Sequence, residues 1–163
     1  MAFYQKRLRA FLANVQDYQC YDIYSADSIR DLIKQRQYYF YSYSGLELID
    51  LEDQMIIELL QNLITFLRTY HNYNIAFITQ NAAGGNTFNR DYSCLVKERQ
   101  AVFLEVFKPS EVKPEVRLSI TEPMLVKAFE EYFREIWEGI APVNKNKQEV
   151  IKWLQSQIDL LKK

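Results

Sequence analysis

The chain has 163 residues, 48% of them apolar, with 4 Gly, 4 Pro and a formal net charge of −1 from 20 basic and 21 acidic side chains. That length and composition fit one domain, residues 1–163, with ample core material and little of the bias typical of disordered chains. The balanced charge excludes broad attraction to a phosphate backbone, so no direct nucleic-acid binding is expected of this chain alone.

Aromatic residues make up 15% of the chain, and 12 of them are tyrosines. A tyrosine buries a ring and keeps a polar tip, so these residues suit the rim of a core, a pocket or an interface. Cys20 and Cys94 lie in apolar contexts, YQCYDIY and YSCLVKE, which reads as reduced core thiols. No signal peptide is evident and no apolar run approaches the ~20 residues needed to span a bilayer, so no membrane partner is expected. A reducing, cytoplasmic setting follows.

In chain order, residues 2–17 suggest an amphipathic helix with Leu8, Phe11, Leu12 and Val15 on one stripe. The cluster Lys6, Arg7 and Arg9 reads as a solvated face of that helix. Cys20 to Tyr24 alternates as a short strand, Ser25 is a plausible cap, and Asp27 to Arg36 reads as a helix with Ile29, Leu32 and Ile33 inward. Tyr38 to Tyr43 is a strand with aromatics on both faces, which suggests a central position and a right-handed βαβ unit with the first strand. Gly45 opens a connection into the longest helix, about Asp50 to Tyr70, apolar nearly all round and with Asp50, Glu52 and Asp53 at its positive end.

Ile75 to Thr79 reads as an interior strand, followed by the Gly84–Gly85 loop of Asn81 to Asn89. That loop leads into a strand, whereas a phosphate-cradling loop leads into a helix. Tyr92 to Lys97 and Ala101 to Phe107 pair as a hairpin, and Pro109 and Pro114 bracket a polar loop. Val116 to Ile120 is then a strand, followed by a helix with Leu125, Ala128, Phe129, Tyr132, Phe133, Ile136, Trp137 and Ile140 on one stripe. Thr121 can cap that helix, Pro123 suits its first turn, and Gly139 with Pro142 ends it. Lys145 to Lys163 is a last amphipathic helix, its narrow seam running through Lys147, Ile151, Leu154, Ile158 and Leu161. The sum is an α/β chain: a mixed, partly antiparallel sheet of five or six strands with helices on its faces, plus amphipathic helices at both ends.

Chemistry-bearing motifs are scarce. The single histidine, His71, sits in the turn after the long helix and reads as a polar helix-end residue. One His and two separated Cys give no metal-ligand spacing, and both thiols lack a cationic neighbour or helix N-terminus to activate them. Glu130, Glu131, Glu135 and Glu138 read as a solvated helix face. No Walker loop, dinucleotide fingerprint or nucleophile elbow is present. No catalytic residue, metal or cofactor is therefore expected. A small-molecule pocket is the expectation the tyrosines support, with Tyr41, Tyr43 and Tyr92 as its lining at the ends of the strands. The apolar helices suggest a homodimer.

Residues 20–140 resemble one module of the phospholipase D-like fold. The resemblance is carried by CYDIYSADSIRDLIK, YFYSYSG, a long helix running into IAFIT, the hairpin DYSCLVKERQAVFLEVF, and LSITEPMLVKAFEEYFREIW. The last piece is similar to the end of effector domains in bacterial and archaeal helix-turn-helix regulators, with Thr121, Pro123 and the FxxxW pair Phe133 and Trp137 in the corresponding places. Catalytic members carry a His-x-Lys motif with a following Asp. Near the hairpin this chain has Tyr92, Cys94 and Lys97 and no histidine, so phosphodiester chemistry is not implied. The resemblance implies a non-catalytic ligand-sensing or dimerisation domain of a transcription regulator, without its DNA-binding domain in this chain. The residues also leave open a small cytosolic enzyme with a pocket around Tyr41, Tyr43, Tyr92 and His71, or a stand-alone protein-binding adaptor.

Overall fold

The structure, a computed structural model, describes residues 12–13, 15–42, 45–78, 92–97, 99–107 and 114–162. Within them, nothing is said of the side chains of residues 40–42, 45–46, 92–94 and 107. The elements run β1 (Cys20–Ser25), α1 (Ala26–Gln35), β2 (Gln37–Ser42), β3 (Gly45–Asp50), α2 (Asp53–Thr69), β4 (Tyr73–Ile78), β5 (Tyr92–Lys97), β6 (Ala101–Phe107), β7 (Pro114–Ile120), α3 (Pro123–Gly139), the single turn α4 (Pro142–Lys145) and α5 (Lys147–Leu161).

Five strands form one sheet in the order β4-β1-β5-β6-β7. β1 runs parallel to β4 and antiparallel to β5, and β5, β6 and β7 form an antiparallel meander. The fold is therefore α/β with a mixed sheet. Side chains alternate across each strand, and the alternation feeds two separate cores. Cys20, Tyr73, Ile75 and Phe77 point to the face covered by α1, α2 and α5, where Ile56, Leu60, Leu154 and Ile158 are fully enclosed. Ile23, Ala76, Val96 and Val102 point to the opposite face, which α3 covers with Phe133, Ile136 and Ile140.

Strands β2 and β3 form a sheet of their own, paired in register from Gln37↔Asp50 to Ser42↔Gly45. This corrects two expectations. Tyr38 to Tyr43 is not a central strand, and β1 with β2 is not a βαβ unit, because the parallel partner of β1 is β4. The segment from Gly45 is also no simple connection: it is strand β3, so the long helix begins at Asp53 rather than Asp50. Arg36, in the left-handed region with φ 52°, turns the chain out of α1, and its guanidinium forks onto Asp53 at 2.8 and 3.3 Å.

Helix α3 begins as its proline dictates, with Pro123 in its first turn, where a missing N–H costs nothing. The cap, however, is Glu122 and not Thr121: the Glu122 carboxylate accepts from the Leu125 N–H at 2.7 Å. The buried stripe is narrower than the periodicity suggests. Val126, Phe133, Ile136 and Ile140 are enclosed, whereas Leu125 and Tyr132 are 51% and 50% exposed and Ala128 faces solvent. Trp137 is partly buried, stacked on Phe133 and edge-on to Tyr21 at 5.0 Å between ring centroids.

Two lysines tie the C-terminal segment to the rest. Lys145 Nζ donates to the Trp137 and Glu138 carbonyls at 2.6 and 3.2 Å, closing the end of α3. Lys147 Nζ donates to the Tyr70 and His71 carbonyls at 3.0 and 2.8 Å, just past the end of α2, and its partial burial pushes its amine pKa down. Cations at these positions also meet the negative ends of the helix dipoles. Among the described residues, no helix is long and apolar enough to cross a membrane.

Phe133→Ala is expected to cost about 3–5 kcal/mol in unfolding free energy, as a fully enclosed aromatic does. Trp137→Ala should cost less, because that ring keeps part of its surface in solvent. Urea unfolding followed by circular dichroism measures both; a larger loss at Trp137 would contradict the packing described.

Candidate functional site

The alternation of β1 that places Cys20 and Tyr24 over the larger core also places Asp22 between them. Asp22 is half-buried and, among the described residues, its carboxylate is in no ion pair; tyrosine hydroxyls face it. Tyr73 Oη donates to Asp22 Oδ2 at 3.4 Å, and the Tyr24 hydroxyl also faces the carboxylate. Burial raises the Asp22 pKa to about 6; the two hydroxyls act in the opposite direction, and the nearby charge of Glu105 adds to the rise. Burial likewise pushes the Tyr24 and Tyr73 hydroxyls up, so both remain protonated donors at neutral pH.

Glu105 lies two strands away on the same face, 6% exposed. Its register partner Arg117 forms a close ion pair with it and rests its guanidinium over the Phe103 ring at 4.8 Å. The second Glu105 oxygen accepts from Tyr39 Oη at 3.1 Å. Tyr39 belongs to the β2–β3 hairpin, so this bond pins the small sheet onto the large one. Burial is the main reason the Tyr39 hydroxyl is also pushed up. Both carboxylates are thus held by donors from other elements, which is what buried acids require.

Beside this network, on the same side of the sheet, is an open cleft of about 490 Å³. It lies at the C-terminal ends of the parallel pair, between Ala26 and Arg30 of α1, Phe77 of β4, and Val143, Asn144, Glu149, Val150, Lys152 and Trp153 of α4 and α5. Ligands in α/β sheets are expected at such strand ends. Phe77 and Trp153 form its aromatic floor, with ring centroids 4.4 Å apart and planes at 47°. Tyr24 packs against Phe77 at 6.2 Å, so floor and polar network are contiguous. Ser25, the N-cap residue of α1, makes no capping hydrogen bond, and its buried hydroxyl has no partner among the described residues.

The described side chains singled out from sequence do not line the cleft. Tyr41 lies in β2, opposite Leu46, and Tyr92 opens β5 opposite Val106, in different sheets; the side chains of both lie outside the described residues, as does Tyr43 altogether. The Gly84–Gly85 loop, Lys6, Arg7, Arg9 and the Cys94 thiol also lie outside them. His71 is exposed, on the surface turn after α2, and Cys20 is a buried free thiol whose pKa burial raises. Of the expected pocket around Tyr41, Tyr43, Tyr92 and His71, only the His71 side chain lies within the described residues. Among the described residues no three His, Cys, Asp or Glu side chains cluster as a metal site. Glu131, Glu135 and Glu138 are exposed, as a solvated face should be, whereas Glu130 is half-buried and accepts from the Arg99 N–H.

The sequence reading missed Asp22, Glu105 and the cleft. A signal for the acids exists: each is a lone charge inside an otherwise apolar strand, at inward parity. The cleft has no such signal, because it is made by packing α4 and α5 against the start of α1.

Asp22→Asn tests the network. With its folded pKa raised above the unfolded value of 3.8, Asp22 favours the fold fully only below about pH 4, and that stability is lost as pH rises through 6. The shift corresponds to about 3 kcal/mol. Asp22→Asn should therefore raise the melting temperature most above pH 6, with the difference vanishing toward pH 4; a variant destabilised at pH 7.5 would contradict this account. No family model, curated protein or solved structure matches the chain, so its function is read from these two neighbouring features alone.

Proposed function

We propose that this chain is a non-catalytic ligand-sensing domain of a transcription regulator, with the cleft at the ends of β1 and β4 as its ligand site. The cleft carries the reading. Its volume of about 490 Å³ falls in the range that holds metabolite-sized molecules, its floor is aromatic, and a few polar groups ring its mouth. Asp22 and Glu105 are engaged in structural hydrogen bonds, Glu149 in the lining pairs with Lys152, and the one histidine is on the surface, which favours binding over chemistry. The regulator assignment rests on the resemblance of the closing strand, turn and helix, in which Pro123 starts α3 and Phe133 and Trp137 stack on each other over the sheet. Such a domain acts as a homodimer in this reading. Val116 and Leu118 on edge strand β7, 43% and 45% exposed, are apolar surface available to a second copy.

The two tryptophans separate the two faces of the sheet, because Trp153 floors the cleft while Trp137 packs on the far side. In Trp137→Phe, Trp153 is the sole indole reporter. Compounds that raise the melting temperature in a metabolite screen should change its emission, and light scattering should give a dimer. If stabilising compounds leave Trp153 emission unchanged, the cleft is not the ligand site.

A further inference from the structure

We infer that the cleft selects a ligand with an apolar, ring-sized body and one anionic group; this rests on the cleft being the ligand site. The body follows from the lining: the Phe77 and Trp153 rings, 4.4 Å apart between centroids, give the cleft an aromatic surface. Val150, 2% exposed, lines the cleft with them, and the Trp153 indole N–H is the one hydrogen-bonding group that these three side chains carry. The anionic group follows from the rim. Arg30 of α1 and Lys152 of α5 both line the cleft, together with Asn144 of α4 as a neutral polar side chain. Glu149 is the single acid that lines the cleft.

The present partners of the two cations leave them available. Arg30 pairs with Asp27 at 2.8 Å and Lys152 with Glu149 at 2.7 Å. Both are pairs three residues apart on one helix, and Arg30 and Lys152 are 52% and 71% exposed. Solvated pairs of this kind hold their members weakly. A ligand carboxylate seated on an apolar floor is better shielded from water than either surface acid, so it competes well for the guanidinium. Arg30 presents two donors in a fixed fork and suits a carboxylate bidentately, whereas Lys152 adds a point charge.

Three probes with one body test this: 3-phenylpropanoate, 3-phenylpropan-1-ol and 3-phenylpropylamine, titrated into the full chain carrying Trp137→Phe and followed by Trp153 emission. The acid should bind about tenfold tighter than the alcohol, the ratio expected when one hydrogen bond to a charged group is gained. The amine should bind more weakly than the alcohol. Arg30→Gln should lower the ratio of acid to alcohol affinity toward one, both probes being titrated into the same variant. Equal binding of all three, or preference for the amine, overturns the anionic selectivity and leaves the cleft as a ligand site. Silence of Trp153 toward all three overturns the inference and counts against the cleft itself.

Discussion

The pairing of β1 on both its edges is the constraint on which the other features depend. A strand held parallel to β4 and antiparallel to β5 is interior, so both its faces must be covered, and each residue is committed to one face by parity. Ile23 is thereby sent to the α3 side, and Cys20, Asp22 and Tyr24 to the other. Placing an acid there has a cost that only hydrogen bonds from fixed donors can offset. Tyr73, the register partner of Cys20, supplies one, and the Tyr24 hydroxyl of the same strand also faces the carboxylate. The same strand ends at Ser25, where α1 begins, and so fixes where the cleft can open.

The second acid explains how the small hairpin sits on the large sheet. β2 and β3 share no ladder with the main strands. Their attachment is through side chains: Tyr39 to Glu105, Arg36 to Asp53, and Ile49 packed against the larger core. Of these, the exposed Arg36–Asp53 pair contributes little. The buried Tyr39–Glu105 bond contributes more, because breaking it leaves a carboxylate oxygen unsatisfied in a poorly hydrated site. Glu105 answers Arg117 on one side and Tyr39 on the other, so one side chain joins edge strand β7 to the hairpin through β6.

Much of this was legible in the residues, and the misses have physical causes. The helices follow from periodicity: Ile56, Leu60, Ile64 and Leu67 recur at helical spacing and are buried. The meander follows from alternation and short turns. Tyr38 to Tyr43 misled because tyrosine satisfies a solvated face as well as a buried one, so aromatics on both faces do not require a central strand. Gly45 to Asp50 was overlooked because Asp50, with Glu52 and Asp53, reads as the acidic first turn of the helix that follows. Thr121 lost the cap to Glu122 by position alone: Pro123 is helical, so the cap is the residue before it. The exposed half of α3's stripe reflects the limited width of a single sheet face, which Leu125 and Tyr132 overhang.

The two features of the candidate site are physically one layer. Trp153 stacks near Phe77, Phe77 meets Tyr24, and the Tyr24 hydroxyl faces Asp22. A packed interior does not deform continuously, so a ring wedged at one end of such a row constrains the rotamers of the next. Tyr24 therefore serves two demands at once: its ring faces the aromatic floor, and its hydroxyl faces a carboxylate that prefers to be neutral below about pH 6. A stability-optimised interior would place an apolar residue at position 22, since packed hydrophobic side chains commonly match or exceed buried polar groups in stability. That Asp22 instead faces two tyrosines next to an aromatic cleft is the strongest reason to look for function on this face rather than on the α3 face, where the buried residues among those described are apolar.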